Sequence, residues 1–287
     1  MIIYFSPSLR LGRNLKYGIK QERKKMARIY PICSSSSGNA TFIGTGGHGI
    51  LVDAGCSFRA LKNALDLIDT SFENIEAVFV THEHIDHIRA LEQIIKHTKI
   101  PIFAPVLSAE EMKRKQQIPE EAQIFNSRDG YKSAAFEVSC FKTSHDAADS
   151  VGYRIRFNGE LFGICTDTGT VTDEAKSALK SCGTVLIESN YDETMLRRNP
   201  NYTPDLKRRI MSEKGHLSNE DCAAFCETLL KGGTRHLILG HLSKENNTPG
   251  TATGCTKRFL EQRGFTQEKD FTLAAAPVMT TGEYIAV

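Results

Sequence analysis

Short apolar runs in this chain alternate with stretches in which apolar residues recur every three or four positions, and the two periods predict strands and helices. Residues 40–53 form two apolar runs around the glycine-rich GTGGHG, a hairpin pattern that ends in LVDAG. Residues 58–68 have helical spacing. Residues 76–80 are a short buried strand, and behind it HIRALEQIIKH repeats Ile88, Leu91, Ile94 and Ile95 along one helix face. FEVSCFKTSHD and SVGYRIRFNGELFGICTDTG alternate as strands do, with Asn158-Gly159 suited to a tight turn. TVLIESN is a further strand ending in a carboxylate. The last third mixes helices over residues 219–230 and 251–262 with the strand RHLILGH. Strands grouped in each half, with helices interspersed, predict an α/β protein: two mixed β-sheets packed face to face with helices on the outer faces, an αββα sandwich. Neither a linker-like shift in composition nor a repeat divides residues 26–287, so one domain is expected there.

A chain of 287 residues, 40% hydrophobic and 24% charged, is long enough to bury a substantial core. No apolar stretch approaches the roughly 20 residues of a membrane span, and no signal-peptide pattern opens the sequence. A cytoplasmic protein is expected. The formal charge of +2 conceals an asymmetry, because residues 1–25 carry seven Lys/Arg against one Glu, leaving 29 basic and 33 acidic residues beyond them. That stretch has no clear period and reads as a disordered basic extension or a start codon placed too early; a basic arm that holds a polyanion is the alternative. The eight cysteines at 33, 56, 140, 165, 182, 222, 226 and 255 include no C-x-x-C pair and read as small buried hydrophobes.

The chemistry concentrates at THEHIDH, residues 81–87, where a strand gives way to a helix. His82, His84 and His87 with Asp86 bring imidazoles and a carboxylate together within six residues, a donor set for zinc, manganese or iron(II). Isolated donors follow strands elsewhere: His145 after FEVSCFKTS, Asp167 after LFGICT and His241 after LILG. Taken singly, each is as easily a surface residue or a satisfied core histidine. Together with the cluster they make seven candidate ligands.

These motifs resemble the metallo-β-lactamase superfamily, whose H-x-H-x-D-H motif THEHIDH matches, and the resemblance covers nearly all of the chain from Met26 onward. It implies that fold and two divalent metal ions, zinc or manganese with iron possible. One ion would lie on His82, His84 and His145, the other on Asp86, His87 and His241, with Asp167 between them and Asp53 of LVDAG in support. The redox-active diiron branch has Glu at the third motif position, where this chain has His84. Hydrolysis is therefore expected.

VLIESNYD and KGHLSN resemble ribonuclease Z motifs that hold a glutamate and a histidine near the leaving group. The matching residues, Glu188 and His216, would protonate a departing alkoxide while Asp86 orients the attacking water. CSSSSGNAT and LGHLSKENNTP are more similar to the YycJ (WalJ) subfamily of 5′-to-3′ DNA exonucleases. That resemblance implies a nucleic-acid substrate, DNA favoured over RNA, with Ser36, Ser37, Asn39, Ser243 and Asn247 as phosphate contacts. Between Glu188 and His216 runs a stretch with six Lys/Arg and two acids, including Arg197, Arg198, Lys207, Arg208 and Arg209, a path for a polyphosphate backbone. Tyr191 and Tyr202 flank it as candidate stacking platforms. The alternatives are a hydrolase of a lactone, thioester or cyclic nucleotide, or an inert metal-binding regulatory protein. His48, His97 and His236 have no partner motif and read as structural.

Overall fold

The computed structural model describes residues 27–280 and the backbone of 285–286; the basic stretch 1–25 lies outside the described residues. Contacts divide the described residues into two units, one of those up to 33 with 37–126 and those from 279 on, the other of 34–36 with 127–278. Strands and helices are numbered along the chain through both.

The first unit is built on a seven-stranded sheet in the order β14-β1-β2-β3-β4-β5-β6. Its strands are β1 (Arg28–Ser35), β2 (Gly38–Thr45), β3 (His48–Val52), β4 (Ile75–Phe79), β5 (Ile102–Ala104), β6 (Ile124–Asn126) and β14 (Ile285–Ala286). The GTGGHG turn closes the expected hairpin, with Thr45 opposite His48, and β3 to β6 then run parallel. Helices α1 (Phe58–Leu67), α2 (Ile85–Ile88), α3 (Leu91–His97) and α4 (Val106–Arg114) follow the strands. Leu61 and Leu65 of α1 and Leu91 and Ile94 of α3 pack with Leu51, Val78 and Ile102 of the sheet. Each such side chain contributes about 1.5–3 kcal/mol when fully buried.

The sequence predicts one continuous helix face from Ile88 to Ile95, but the chain forms two helices. Ala90 interrupts it because its N–H donates to the Ala54 carbonyl at 2.8 Å, so α2 is tied to the end of β3 before α3 begins.

The second unit has its own mixed sheet, in the order β13-β12-β11-β10-β9-β8-β7. The strands β7 (Tyr131–Lys132), β8 (Phe136–Lys142), β9 (Val151–Phe157) and β10 (Glu160–Cys165) are antiparallel; β11 (Thr184–Glu188), β12 (His236–Gly240) and β13 (Thr272–Ala275) continue in parallel from β10. Asn158 and Gly159 join β9 to β10 with φ of 51° and 84°, the two left-handed residues that the hairpin turn requires. Helices α5 (Asp173–Leu179), α6 (Glu193–Arg198), α7 (Pro204–Ile210), α8 (Asn219–Lys231) and α9 (Pro249–Glu261) each start on a side-chain cap, from Thr172, Asp192, Thr203, Ser218 and Thr248. A cap of this kind is worth about 1 kcal/mol. Val185, Ile187, Leu237 and Leu239 of the central strands pack against Cys222, Cys226 and Leu229 of α8 and Leu260 of α9. The buried cysteines thus serve as small core hydrophobes. Among the described residues no helix is long and apolar enough to cross a membrane.

Candidate metal centre

Each unit gathers donors where its parallel strands end, the position at which α/β sheets place ligands. In the first unit β3 runs into Asp53, whose φ of 62° turns the chain sharply. The next residues are laced to the THEHIDH loop: Ala54 N donates to the His87 carbonyl at 2.7 Å, and Gly55 N to the Asn39 carbonyl at 2.7 Å. Only glycine fits at 55, because a Cβ there would stand 1.6 Å from the Asp86 carbonyl oxygen. The LVDAG loop and the histidine loop are therefore one rigid piece.

The Asp53 carboxylate is 3% exposed and accepts three hydrogen bonds. Thr81 N donates at 2.8 Å, Thr81 Oγ1 at 3.0 Å and His87 Nδ1 at 2.7 Å. Burial pushes the Asp53 carboxyl up from its ordinary range, and the His87 and Thr81 bonds pull against that rise. With the Nδ1 proton of His87 given to Asp53, its Nε2 keeps a lone pair, towards which the Asn39 amide donates at 3.1 Å. Asp86 Oδ2 lies 3.5 Å from the same nitrogen. The Thr81 hydroxyl, having donated to Asp53, accepts from His82 Nδ1 at 3.0 Å, so His82 also presents Nε2 as a lone pair. The His82 ring centroid is 4.5 Å from that of His84 and 4.1 Å from that of His87. Glu83, which the motif reading leaves without a role, braces the loop by accepting from Ser108 of α4 at 2.9 Å.

In the second unit Asp167 follows β10 and His241 follows β12, again in left-handed backbone, with φ of 55° and 54°. Three of the eight described non-glycine residues with positive φ are thus donors or their supports at strand ends. Outliers of this kind cost of order 1–3 kcal/mol and persist where the surroundings fix them. At His241 the fixing is direct: its N–H donates to Ser34 Oγ at 2.8 Å and its carbonyl accepts from Asn190 Nδ2 at 2.8 Å.

Asp167, 2% exposed, has Oδ2 3.1 Å from His241 Nδ1 and Oδ1 3.7 Å from His145 Nε2. His145 gives its Nδ1 proton to the Gly215 carbonyl at 3.1 Å, which leaves Nε2 as the lone pair facing Asp167. Glu188 is fully buried at the end of β11 and accepts from His216 Nδ1 at 2.7 Å, Thr168 N at 2.7 Å and Leu217 N at 3.3 Å. Burial disfavours the charged His216 ring, but Glu188 and then Asp167 outweigh it and raise its pKa to about 9. Asp167, Glu188, His216 and His241 offer donor atoms that all lie within 4.8 Å of one another. Buried carboxylates and imidazoles with fixed tautomers and inward lone pairs suit a divalent cation, which would balance charge that burial otherwise penalises.

Of the expected phosphate contacts, Ser36 is exposed and Ser37 half-buried. Asn39 is occupied with His87, and Ser243 Oγ accepts from Asn246 N at 3.2 Å. The Asn247 amide donates to the Ser189 and Asn190 carbonyls at 2.9 and 3.1 Å, holding the loop behind β11. Much of the basic run is paired locally: Arg197 with Glu193, Arg208 with Asp205, and Arg209 with Asp146 beside His145. Tyr191, expected as a stacking platform, is instead only 6% exposed and packs inside its unit. Tyr202 is half-buried.

Residues 48–242 match the model of the beta-lactamase superfamily domain. The chain belongs to this superfamily. Over 82% of its length it is 34% identical to exodeoxyribonuclease YycJ of Bacillus anthracis, 89% of which is covered. Exodeoxyribonuclease WalJ of Streptococcus pneumoniae is 33% identical over 75% of this chain and 81% of its own. Among solved structures, yeast PDE1 superimposes with a TM-score of 0.65 at 14% identity, covering 91% of this chain and 99% of its own. The metallo-beta-lactamase fold protein YhfI from Bacillus subtilis gives 0.63 at 15%, covering 89% and 98%. The α/β class with two mixed sheets and helices, expected from the sequence, is the class observed. Like its superfamily relatives, the chain is a metal-dependent hydrolase that binds divalent metal through His and Asp side chains.

Proposed function

We propose that this hydrolase is a nuclease that removes nucleotides from the 5′ end of DNA with two divalent ions, zinc or manganese. The observation that carries the reading is the Glu188–His216 pair, 2.7 Å apart beside Asp167, with Glu188 fully buried and His216 half-buried. An alkoxide leaving a phosphodiester needs a proton, whereas a thioester releases a thiolate, a better leaving group, and needs it less. His216, kept charged by Glu188, is built to supply that proton. The exodeoxyribonuclease relatives support DNA as the substrate.

By the superfamily resemblance His82, His84 and His145 would hold one ion and Asp86, His87 and His241 the other, with Asp167 a ligand shared between them. Bound ions supply Lewis acidity, lowering the pKa of water and balancing phosphate charge. The chain's own residues do the rest. Asp53 and Thr81 hold the His87 and His82 tautomers, Asp86 orients the attacking water, and His216 gives its Nε2 proton to the departing oxygen while Glu188 steadies the ring through Nδ1. Ser36, which is exposed, is the residue this reading assigns to a terminal phosphate.

The test is degradation of 3′-labelled single-stranded DNA and RNA, 5′-phosphorylated or 5′-hydroxyl, by the purified protein in manganese or zinc. Stepwise release from the 5′ end with DNA preferred is expected. No cleavage in either metal would refute the reading, and turnover of an ester, thioester or cyclic nucleotide would then assign the site to small-molecule hydrolysis.

A further inference from the structure

The first unit contains a cavity of about 510 Å³ between α1, the turn at Phe72–Asn74 and the end of α3. No residue of the chemistry proposed above lines it. Its volume falls in the range of about 300–1,000 Å³ typical of small-molecule sites. One wall is aromatic: Phe58 and Phe72 stack with centroids 4.9 Å apart and planes 4° apart, and the His97 ring leans on Phe58 at 5.9 Å. Both phenylalanines are only partly buried, at the margin of the core. The rim carries Lys62 and Lys99, both exposed, and neither makes an ion pair among the described residues. Glu73 is the one acid in the lining.

We propose that this cavity binds a nucleoside monophosphate. The base lies on the Phe58–Phe72 wall, as bases stack on aromatic side chains in single-strand binding sites. The phosphate dianion meets Lys62 and Lys99, two uncommitted cations against two negative charges. Glu73 accepts from a sugar hydroxyl or an exocyclic amine. An aromatic hydrocarbon would use the wall and leave the lysines idle, and inorganic phosphate would use the lysines and leave the wall idle. A ligand that joins a planar ring to a phosphate engages both. The choice of ligand rests on the nuclease reading, since monophosphates are what such an enzyme releases, but the binding itself does not.

The cavity walls are helices that leave the metal loops. Phe58 opens α1 five residues after Asp53, and His97 closes α3 ten residues after His87.

The experiment is calorimetric titration of deoxyadenosine 5′-monophosphate into the full-length, metal-loaded protein and into two variants, Lys99→Glu and Phe72→Leu. Saturable binding is expected in the parent, weakened about tenfold or more in each variant, while hydrolysis of bis(p-nitrophenyl) phosphate without added nucleotide stays within about twofold of the parent. Binding that neither variant alters would place the nucleotide elsewhere and overturn the proposal, as would no saturation at millimolar ligand. Phe72→Leu keeps an apolar side chain at the margin of the core, and unchanged melting of both variants shows that lost binding is not lost folding. If the parent hydrolyses no phosphodiester but still binds the monophosphate through Lys99 and Phe72, the nuclease reading fails and the site stands; active protein without variant-sensitive binding gives the converse.

Discussion

Replacing Asp53 with asparagine should cost the protein its metal before it costs the fold. The carboxylate accepts from Thr81 N, Thr81 Oγ1 and His87 Nδ1, and it is 3% exposed. Asparagine keeps the shape and tolerates the left-handed φ of 62°. It offers one oxygen, so only one of the Thr81 and His87 N–H groups retains a good acceptor and the other faces an NH₂. One buried donor left unsatisfied costs about 1–3 kcal/mol. The larger effect falls on His87: without the carboxylate, its Nδ1 proton is no longer fixed and the Nε2 lone pair is no longer guaranteed. Loss of such a support typically weakens metal binding about 10- to 100-fold. Chelator competition with zinc, read beside thermal unfolding of both proteins after metal removal, separates the two effects. The apo variant should melt only a few degrees lower, while the metal dissociation constant rises by an order of magnitude or more. A variant that binds metal within about twofold of the parent would show that Asp53 supports the fold alone, and the tautomer argument would be wrong.

Gly55→Ala places a methyl group 1.6 Å from the Asp86 carbonyl oxygen, a backbone clash costing at least about 1–3 kcal/mol; a lowered melting temperature together with reduced metal content in the same sample is expected. Under the nuclease reading, Glu188→Gln and His216→Ala should each lower kcat on a phosphodiester about 10²- to 10⁴-fold, with metal content by elemental analysis unchanged, and loss of metal in His216→Ala would make it a ligand. Asp149 accepts from Arg128 and Lys142 at 2.8 Å, and although burial raises its carboxyl, these two cations lower it below its ordinary 3.8. Because its folded pKa is depressed, the contribution of about 1 kcal/mol is present at neutral pH and disappears as pH falls below about 3.8. Urea unfolding of Asp149→Asn should therefore show a deficit at pH 7 that shrinks as pH is lowered below 3.8.

Much of this architecture is legible in the sequence because local periods and strand-end donors survive in one dimension. The hairpin around GTGGHG, the Asn158-Gly159 turn and the helix over residues 219–230 are set by residues close to one another in the chain. The donors at 82, 84, 86 and 87 are legible for the same reason. The break at Ala90 is not, because it depends on a carbonyl 36 residues away at Ala54. Nor is the burial of Tyr191, a residue whose polarity suits surface and interior alike. Glu83 escapes the motif reading because its partner, Ser108, lies in a helix 25 residues further along the chain. The pairing of Glu188 with His216 comes from motif resemblance and not from spacing, and the structure supplies what the motif lacks: the contact itself and the Thr168 and Leu217 N–H groups that share the carboxylate.

The left-handed backbone at Asp53, Asp167 and His241 separates two kinds of selection. A library screened only for folded protein would accept asparagine or glycine at 167 and 241, since both tolerate a left-handed conformation that costs most residues about 1–2 kcal/mol. If Asp167 and His241 are metal ligands, a library screened for turnover would accept neither. The gap between the two surviving populations at these positions measures how much foldability the chain gives up to hold its donors, and it locates the chemistry without any knowledge of the substrate.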